Sequence, residues 1–147
     1  MSDGDEVRNL LGRYCERMDA ADWAGIGALF EYGALTDEHG TLLAEGAPAV
    51  AAFYEAGTRL HDGSPRTKHL VLDTVLEDVA TDGSLTARSS YVVLQALEGF
   101  ALQPIITGRY LDRFWRGPSG AGPWRFAERR FLVDLLGDLS HHLRYEL

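Results

Sequence analysis

Apolar residues in the first part of the chain recur every three to four positions, which predicts helices. The first predicted helix covers residues 5–19, and its apolar face consists of Val7, Leu10, Leu11, Tyr14, Cys15 and Met18. A shorter apolar pattern over residues 23–30 predicts a second helix, for which Asp22 is well placed as the N-cap. Pro48 suits the first turn of a third helix, whose apolar pattern extends to His61.

The second half of the chain predicts strands, because long runs rich in β-branched and aromatic residues alternate with turn-forming segments. Four long strands are predicted, over residues 66–80, 85–97, 101–116 and 124–136. Asp82-Gly83 suits the positive φ of a hairpin turn, and Gly108 inside the third long strand marks a bend or a bulge. A short hairpin is also predicted over residues 34–45, with the exposed His39 in its turn.

The order of these elements predicts an α+β fold. Three helices precede an antiparallel meander, and a strongly curved sheet wrapped over amphipathic helices leaves a cone-shaped interior pocket. The Gly/Pro clusters fall between consecutive strands, so residues 1–147 are predicted to form a single domain. The length of 147 residues suits one hydrophobic core.

The net charge, the cysteine count and the hydropathy of the chain limit which partners and which cellular compartment are expected. The formal charge of −8 argues against nucleic acid and against anionic membrane surfaces, since both need a basic footprint. Cys15 is the only cysteine, so no intrachain disulfide can form, and its place on the first helix predicts a core residue. The acidic N-terminus carries no hydrophobic signal segment, and no apolar run reaches the roughly 20 residues of a membrane span. We therefore expect a cytoplasmic protein.

Asp19 is the residue that points to chemistry. It lies at the edge of the apolar face of the first helix, where a carboxylate is costly unless it is hydrogen-bonded. The candidate partner is His69 on the first long strand. An Asp–His pair at the wall of an apolar pocket can act as a general base: the carboxylate orients the ring, and the second ring nitrogen accepts a proton. The alternative is a buried pair that only ties the helix to the sheet.

Strand alternation leaves open whether His69 faces the pocket. Alternation groups His69 with Val71 and Asp73 on one face of the strand, and Leu70 with Leu72 on the other. Both faces contain apolar residues, so periodicity does not identify the face that meets the helices.

Several aromatic and basic residues are candidates for substrate binding. Tyr14 lies on the apolar face of the first helix and is either a substrate contact or a core residue; Tyr54, on the apolar face of the third helix, is a further candidate. Tyr91 and Trp23 would supply wall to the pocket. Arg109 is a candidate for binding an anionic group, with a strand-edge ion pair as the alternative. The residue after it, Tyr110, points to the opposite face, so only one of the two can line the pocket.

The remaining histidines give weaker signals. His61 at the end of the third helix is either a second acid or a residue that eases the helix dipole. His141 and His142 lack a third ligand at a suitable spacing, so no metal site is predicted. No glycine-rich phosphate motif is present, so no nucleotide cofactor is implied.

Four parts of the chain resemble the SnoaL-like branch of the nuclear-transport-factor-2-like (NTF2-like, cystatin-like) superfamily, which includes scytalone dehydratases and related lyases. They are residues 14–23 with 28–30, 67–71, 108–114 and 124–130. In dehydratase and dehydrochlorinase members an Asp late in the first helix pairs with a His on the first long strand, and Asp19 and His69 occupy similar positions. The resemblance therefore implies that Asp19 orients His69, and that His69 is the general base for proton abstraction or elimination.

Two classes of function follow. The first is a cofactor-independent lyase or isomerase that acts on a small hydrophobic cyclic substrate. The second is a non-catalytic small-molecule-binding or structural subunit, like the small subunit of a ring-hydroxylating dioxygenase. In both cases the outer sheet face, made of Leu70, Leu72 and Leu76 or of the opposite side chains, suits a homodimer interface.

Overall fold

The computed structural model describes residues 1–147 and confirms the predicted α+β fold. The helices are α1 (Asp3–Asp19), α2 (Trp23–Leu29) and α3 (Ala47–Gly57). The strands are β1 (Ala34–Thr36), β2 (Leu42–Glu45), β3 (Thr67–Leu76), β4 (Leu85–Leu97), β5 (Phe100–Trp115) and β6 (Arg125–Leu136).

All six strands belong to one sheet with the order β2-β1-β6-β5-β4-β3. Strands β3 to β6 form the predicted antiparallel meander, and β1 joins its far edge by pairing parallel with β6 and antiparallel with β2. Helix α1 packs on β3, while α2 packs on α3. The helices therefore cover the inner face of the sheet, and the core lies between the two layers.

Local capping explains where the first two helices begin. The Ser2 side chain accepts a hydrogen bond from the Asp5 N–H, so α1 begins slightly earlier than the apolar pattern predicts. The predicted cap at Asp22 is confirmed, because its carboxylate accepts from the Gly25 N–H. Pairs of this kind satisfy backbone donors that have no partner inside the helix.

The predicted extension of α3 to His61 is wrong. Pro48 does lie in the first turn, but the helix ends at Gly57. Thr58 is already extended and forms a β-bridge with Leu143 near the C-terminus. The apolar pattern past Gly57 does not mark helix, since Leu60 is exposed and the backbone there pairs with the C-terminal segment.

Strand β3 ends earlier than predicted and carries a bulge. Between the Leu72–Ser90 pair and the next pair, at Val75, β3 has one more residue than β4. Asp73 in the bulge has a φ of 54°, a left-handed conformation that non-glycine residues seldom adopt. The bulge reverses the alternation, so Val75 is exposed and Leu76 packs against the core. The assignment of Leu76 to the same face as Leu72 was therefore wrong.

The predicted irregularity at Gly108 is present. The pairing of β5 with β6 shifts register between Thr107 and Gly108. A Cβ atom at Gly108 would overlap the carbonyl oxygen of Leu132 and would lie 2.6 Å from the Tyr91 hydroxyl. Glycine is needed here because the neighbouring strand and a tyrosine ring approach the backbone closely.

The apolar face of α1 is confirmed as core. Its buried residues are Val7, Leu10, Leu11, Tyr14 and Met18. Cys15 is partly buried and packs against this cluster, and burial raises the pKa of its thiol to about 11, as expected of an unreactive core residue. None of the three helices combines the length and the apolar character that crossing a membrane requires.

Candidate active site

A cavity of about 650 Å³ lies between the helices and the inner face of the sheet. This volume is typical of sites for small organic molecules. Hydrophobic residues make up 16 of its 23 lining residues. The acidic residues of the lining are Asp37 and Glu38, both from the β1–β2 turn, and no Lys or Arg lines the cavity. The lining therefore suits a mostly apolar ligand without negative charge.

Asp19 and His69 meet at the wall of this cavity. Asp19 is the last residue of α1, and its Oδ1 atom lies 2.6 Å from Nδ1 of His69 on β3. The backbone N–H of His69 also donates to both carboxylate oxygens, at 3.1 and 3.0 Å. The Thr67 hydroxyl donates to Oδ1 at 3.0 Å. The carboxylate is thus fully engaged, as a partly buried charge must be.

The two residues differ in their access to the cavity. His69 lines the cavity and Asp19 does not, so the ring lies between the carboxylate and any bound molecule. The sequence left the orientation of the β3 face open, and the structure places His69 on the inner side. Because Nδ1 is bound to Asp19, Nε2 is the ring nitrogen left to contact a ligand. A carboxylate in this position holds the hydrogen on Nδ1 and stabilises the imidazolium.

Four tyrosine rings form one end of the cavity. The hydroxyls of Tyr14 and Tyr54 are 2.5 Å apart, and both residues line the cavity as proposed from the sequence. Burial raises the pKa of both hydroxyls, which keeps them neutral and able to donate. Tyr91 also lines the cavity, and its ring stacks on Tyr110 with centroids 4.4 Å apart.

Two of the proposed substrate-binding residues do not reach the cavity. Trp23 is not part of the lining and stacks behind Tyr54, with ring centroids 6.3 Å apart. Arg109 lies on the outer face of the sheet and forms an exposed ion pair with Asp134, 3.0 Å between Nη2 and Oδ1. The inner position of β5 belongs to Tyr110, as strand alternation requires. The ion-pair interpretation of Arg109 therefore replaces the anion-binding one.

Sequence reasoning missed a buried ion pair behind the tyrosines. Arg129 and Asp112 have no exposed side-chain surface, and two guanidinium nitrogens donate to the carboxylate at 2.8 and 2.9 Å. The guanidinium lies over the rings of Tyr110 and Tyr14, at 3.6 and 4.2 Å from their centroids. Burial opposes the charge of Arg129, but the Asp112 carboxylate prevails and raises its pKa. A permanent cation therefore supports the tyrosine cluster from behind.

Sequence reasoning also missed His142 as a residue of the site. It lines the cavity, and its ring centroid lies 6.2 Å from that of His69. Burial, together with the nearby His69, lowers the pKa of His142 to about 4. His61 does not line the cavity. Its Nε2 is instead hydrogen-bonded to the carbonyl oxygen of His141. No three His, Cys, Asp or Glu side chains converge in a way that could hold a metal ion.

Solved structures with the same architecture include one from Mycobacterium tuberculosis and two from Novosphingobium aromaticivorans. The first is a variant of Rv3472, a protein of unknown function; it is 28% identical, with a TM-score of 0.68 over 89% of this chain and 71% of that one. The second is an NTF2-like protein with a cystatin-like fold; it is 22% identical, with a TM-score of 0.69 over 89% of this chain and 81% of that one. The third is a candidate scytalone dehydratase; it is 16% identical, with a TM-score of 0.68 over 97% of this chain and 87% of that one. At these identities the last two establish the fold alone.

The family comparison is more specific than the structural one. No curated protein sequence matches the chain. The family model described as a SnoaL-like domain matches residues 1–130, which include α1 with Asp19 and β3 with His69. The chain therefore belongs to the SnoaL-like domain family, and it has the NTF2-like, cystatin-like fold.

Proposed function

We propose that this protein is a cofactor-independent lyase or isomerase, with His69 as general base and Asp19 as the group that orients it. The observation that carries the proposal is the 2.6 Å contact between Nδ1 of His69 and Oδ1 of Asp19. The His69 ring lines the apolar cavity, and Asp19 lies on the side of the ring away from it. A general base must reach its substrate while its other side is fixed, and this pair meets both requirements.

In the proposed reaction Nε2 of His69 removes a proton from a carbon next to an electron-withdrawing group. The electron pair of the broken C–H bond moves toward that group, and the Asp19 carboxylate stabilises the imidazolium. One of the neutral hydroxyls of Tyr14 and Tyr54 donates to the other, and the hydroxyl whose hydrogen remains free is placed to donate to an oxygen on which negative charge develops. The imidazolium then returns the proton, either to a departing hydroxyl, which leaves as water, or to another carbon, which shifts the double bond.

The lining of the cavity supports a small cyclic substrate that carries no anionic group. Its volume of about 650 Å³ accommodates a compound of a few fused rings, and aromatic side chains offer stacking surfaces. A phosphate or carboxylate would meet Asp37 and Glu38 without any Lys or Arg to bind it. Small apolar ketones and hydroxyketones therefore fit the proposal, and anionic coenzyme-linked substrates do not.

A homodimer in the cytoplasm is part of the same proposal. Three apolar side chains of the outer sheet face are exposed, namely Leu72, Val75 and Leu111. A second copy packed on this face would remove them from water. Light scattering on the purified protein distinguishes a self-sufficient dimer from a subunit that needs a larger partner, as the dioxygenase-subunit alternative requires.

The chemistry is tested by hydrogen–deuterium exchange at the acidic carbon of 2-tetralone, an uncharged bicyclic ketone, followed by NMR in deuterated water. This readout detects proton abstraction without knowledge of the later steps. The wild-type protein should accelerate exchange, and His69→Ala should lose about 10²-fold or more of that rate while staying folded. Arg109→Ala, on the outer face, is the matched control and should keep the full rate.

Two outcomes would contradict the proposal. If 2-tetralone binds but the wild-type protein leaves exchange at the uncatalysed rate, a binding role replaces the catalytic one. If His69→Ala retains the wild-type rate, His69 is not the base.

A further inference from the structure

The C-terminal segment, residues 137–147, supplies one side of the cavity. Its lining residues are Leu139, His142, Leu143, Tyr145 and Leu147. The match to the SnoaL-like family model ends at residue 130, so this side of the site comes from sequence beyond the matched region. Residues here are therefore candidates for features particular to this chain. His142 is of special interest because its ring lies beside that of His69, with centroids 6.2 Å apart.

Backbone hydrogen bonds fix His142 in place. Its own N–H donates to the Leu139 carbonyl at 3.0 Å, and its carbonyl accepts from the Arg59 N–H at 2.8 Å. Two positions further on, Arg144 donates from its N–H to the Gly57 carbonyl at 2.9 Å. The segment is thus tied, at His142 and at Arg144, to the end of α3 and to the residues just after it.

The ring of His142 has unused hydrogen-bonding capacity. The residue is 6% exposed, and Nδ1 is buried without a hydrogen-bond partner. A buried N–H group without an acceptor is rarer than a buried acceptor without a donor. We therefore assign the hydrogen to Nε2, which makes the ring a donor. Its lowered pKa keeps the ring uncharged at neutral pH, and an uncharged imidazole offers one donor and one acceptor.

We propose that His142 binds the substrate directly, by donating a hydrogen bond from Nε2 to an oxygen of the molecule that His69 deprotonates. The centroid distance of 6.2 Å allows one small polar group to contact both rings. The inference rests on the proposed function and deepens it, because it names a substrate class: apolar ring compounds that carry a hydroxyl or carbonyl oxygen near the acidic carbon. A neutral imidazole is a suitable donor to an oxygen that gains negative charge.

The test compares two ligands of the same shape, 2-naphthol and 2-methylnaphthalene, which differ in the hydroxyl group. We expect the wild-type protein to bind 2-naphthol about tenfold more tightly, the effect of one hydrogen bond. His142→Phe should bring this preference to within about twofold and keep the affinity for 2-methylnaphthalene. His141→Phe makes the same change one position away, at a ring that does not line the cavity, and should leave the preference unchanged.

A second readout uses the wild-type protein alone, so it does not depend on the folding of a variant. The Nε2 and Nε2–H signals of the His142 ring should move further when 2-naphthol is added than when 2-methylnaphthalene is added. Equal movements at saturating concentrations of the two ligands, or an unchanged preference in folded His142→Phe, would overturn the role of His142 and leave the proposed function standing. If neither ligand binds the wild-type protein, the proposed apolar substrate site fails, and this inference fails with it.

Discussion

Two acid–base pairs lie beside the same cavity, and they differ in what can reach them. In the Asp112–Arg129 pair both side chains are completely enclosed, and neither lines the cavity. In the Asp19–His69 pair the imidazole lines the cavity, and the carboxylate stands behind it. Both carboxylates are bound by well-placed donors, so hydrogen bonding alone does not separate a structural pair from a chemical one. Access to the cavity does.

The basic groups of the two pairs differ as well. A guanidinium does not release its proton in a protein, so the Asp112–Arg129 pair cannot take part in proton transfer. Its charge supports the aromatic rings of Tyr14 and Tyr110, which it contacts directly. An imidazole can both accept and donate a proton, which suits His69 for acid–base chemistry. The experiments below separate these roles, beginning with the largest expected effect.

Breaking the enclosed pair should cost the most stability. Asp112→Ala leaves the Arg129 guanidinium buried without a counter-charge, and we expect the free energy of unfolding to fall by about 3–5 kcal/mol. Urea denaturation followed by circular dichroism measures this change. The double variant Asp112→Leu with Arg129→Met removes both charges and should recover most of the loss. A single variant as stable as the wild type would contradict a structural role for the pair.

Acid sensitivity should be greatest on the cavity side, at His142. The unfolded chain protonates this residue near its ordinary pKa of 6.5, but the folded protein does so only near a pKa of about 4. Above pH 6.5 the ring is neutral in both states, and the free energy of unfolding keeps its full value. As the pH falls from 6.5 to about 4, protonation of the unfolded chain lowers the free energy of unfolding by about 3 kcal/mol.

The measurement for His142 is urea denaturation at neutral pH and at about pH 4.5, on the wild type and on His142→Phe. The wild type should lose more stability than the variant, by about 2–3 kcal/mol. Parallel losses in the two proteins would show that His142 is not kept neutral by the fold.

A smaller effect is expected from loosening the accessible pair without breaking it. Thr67→Val removes one hydrogen bond to the Asp19 carboxylate but keeps those from the backbone and ring of His69. We expect a loss of about 1 kcal/mol in the free energy of unfolding, measured by urea denaturation. Exchange of 2-tetralone should change far less than in His69→Ala. Loss of all exchange activity in a stable Thr67→Val protein would mean that the hydroxyl has a direct chemical role.

The smallest effect is expected from the exposed pair on the outer face. Arg109 and Asp134 are both solvent-accessible, and exposed ion pairs contribute little to stability. Arg109→Ala should therefore leave the melting temperature and the affinity for 2-naphthol unchanged, as calorimetry can show. Weaker binding of 2-naphthol in this variant would restore the ligand-binding role that the sequence suggested.

Much of the fold could be predicted from the sequence, because local signals agreed with the final packing. Periodicity and turn chemistry predict the apolar face of α1, the N-cap at Asp22 and the bounds of β4. The errors lie where tertiary contacts override the local pattern. Thr58 pairs with the distant C-terminal segment and ends α3 early, and the bulge at Asp73 reverses which side chains of β3 face inward.

The site was predictable only in part, and the reason is distance along the chain. Asp19 was identifiable as a carboxylate on an apolar face and His69 as its candidate partner, but nothing local specifies a pair 50 residues apart, so the family resemblance was needed to support the pairing. Arg129 gave no signal, because charged strand residues are normally exposed and its partner lies on another strand. His142 follows the last strand in a segment without periodicity, so only the tertiary structure brings it to the cavity.

The most direct test of the Asp19–His69 pair is the tautomer of the His69 ring, read from its ¹⁵N chemical shifts in the wild type and in Asp19→Asn. We predict that Nδ1 carries the hydrogen in the wild type and that Nε2 is the free nitrogen, because the carboxylate accepts from Nδ1. In Asp19→Asn this preference should weaken or reverse. A wild-type ring with its hydrogen on Nε2, or a ring whose state ignores the loss of the carboxylate, would contradict His69 as the general base oriented by Asp19.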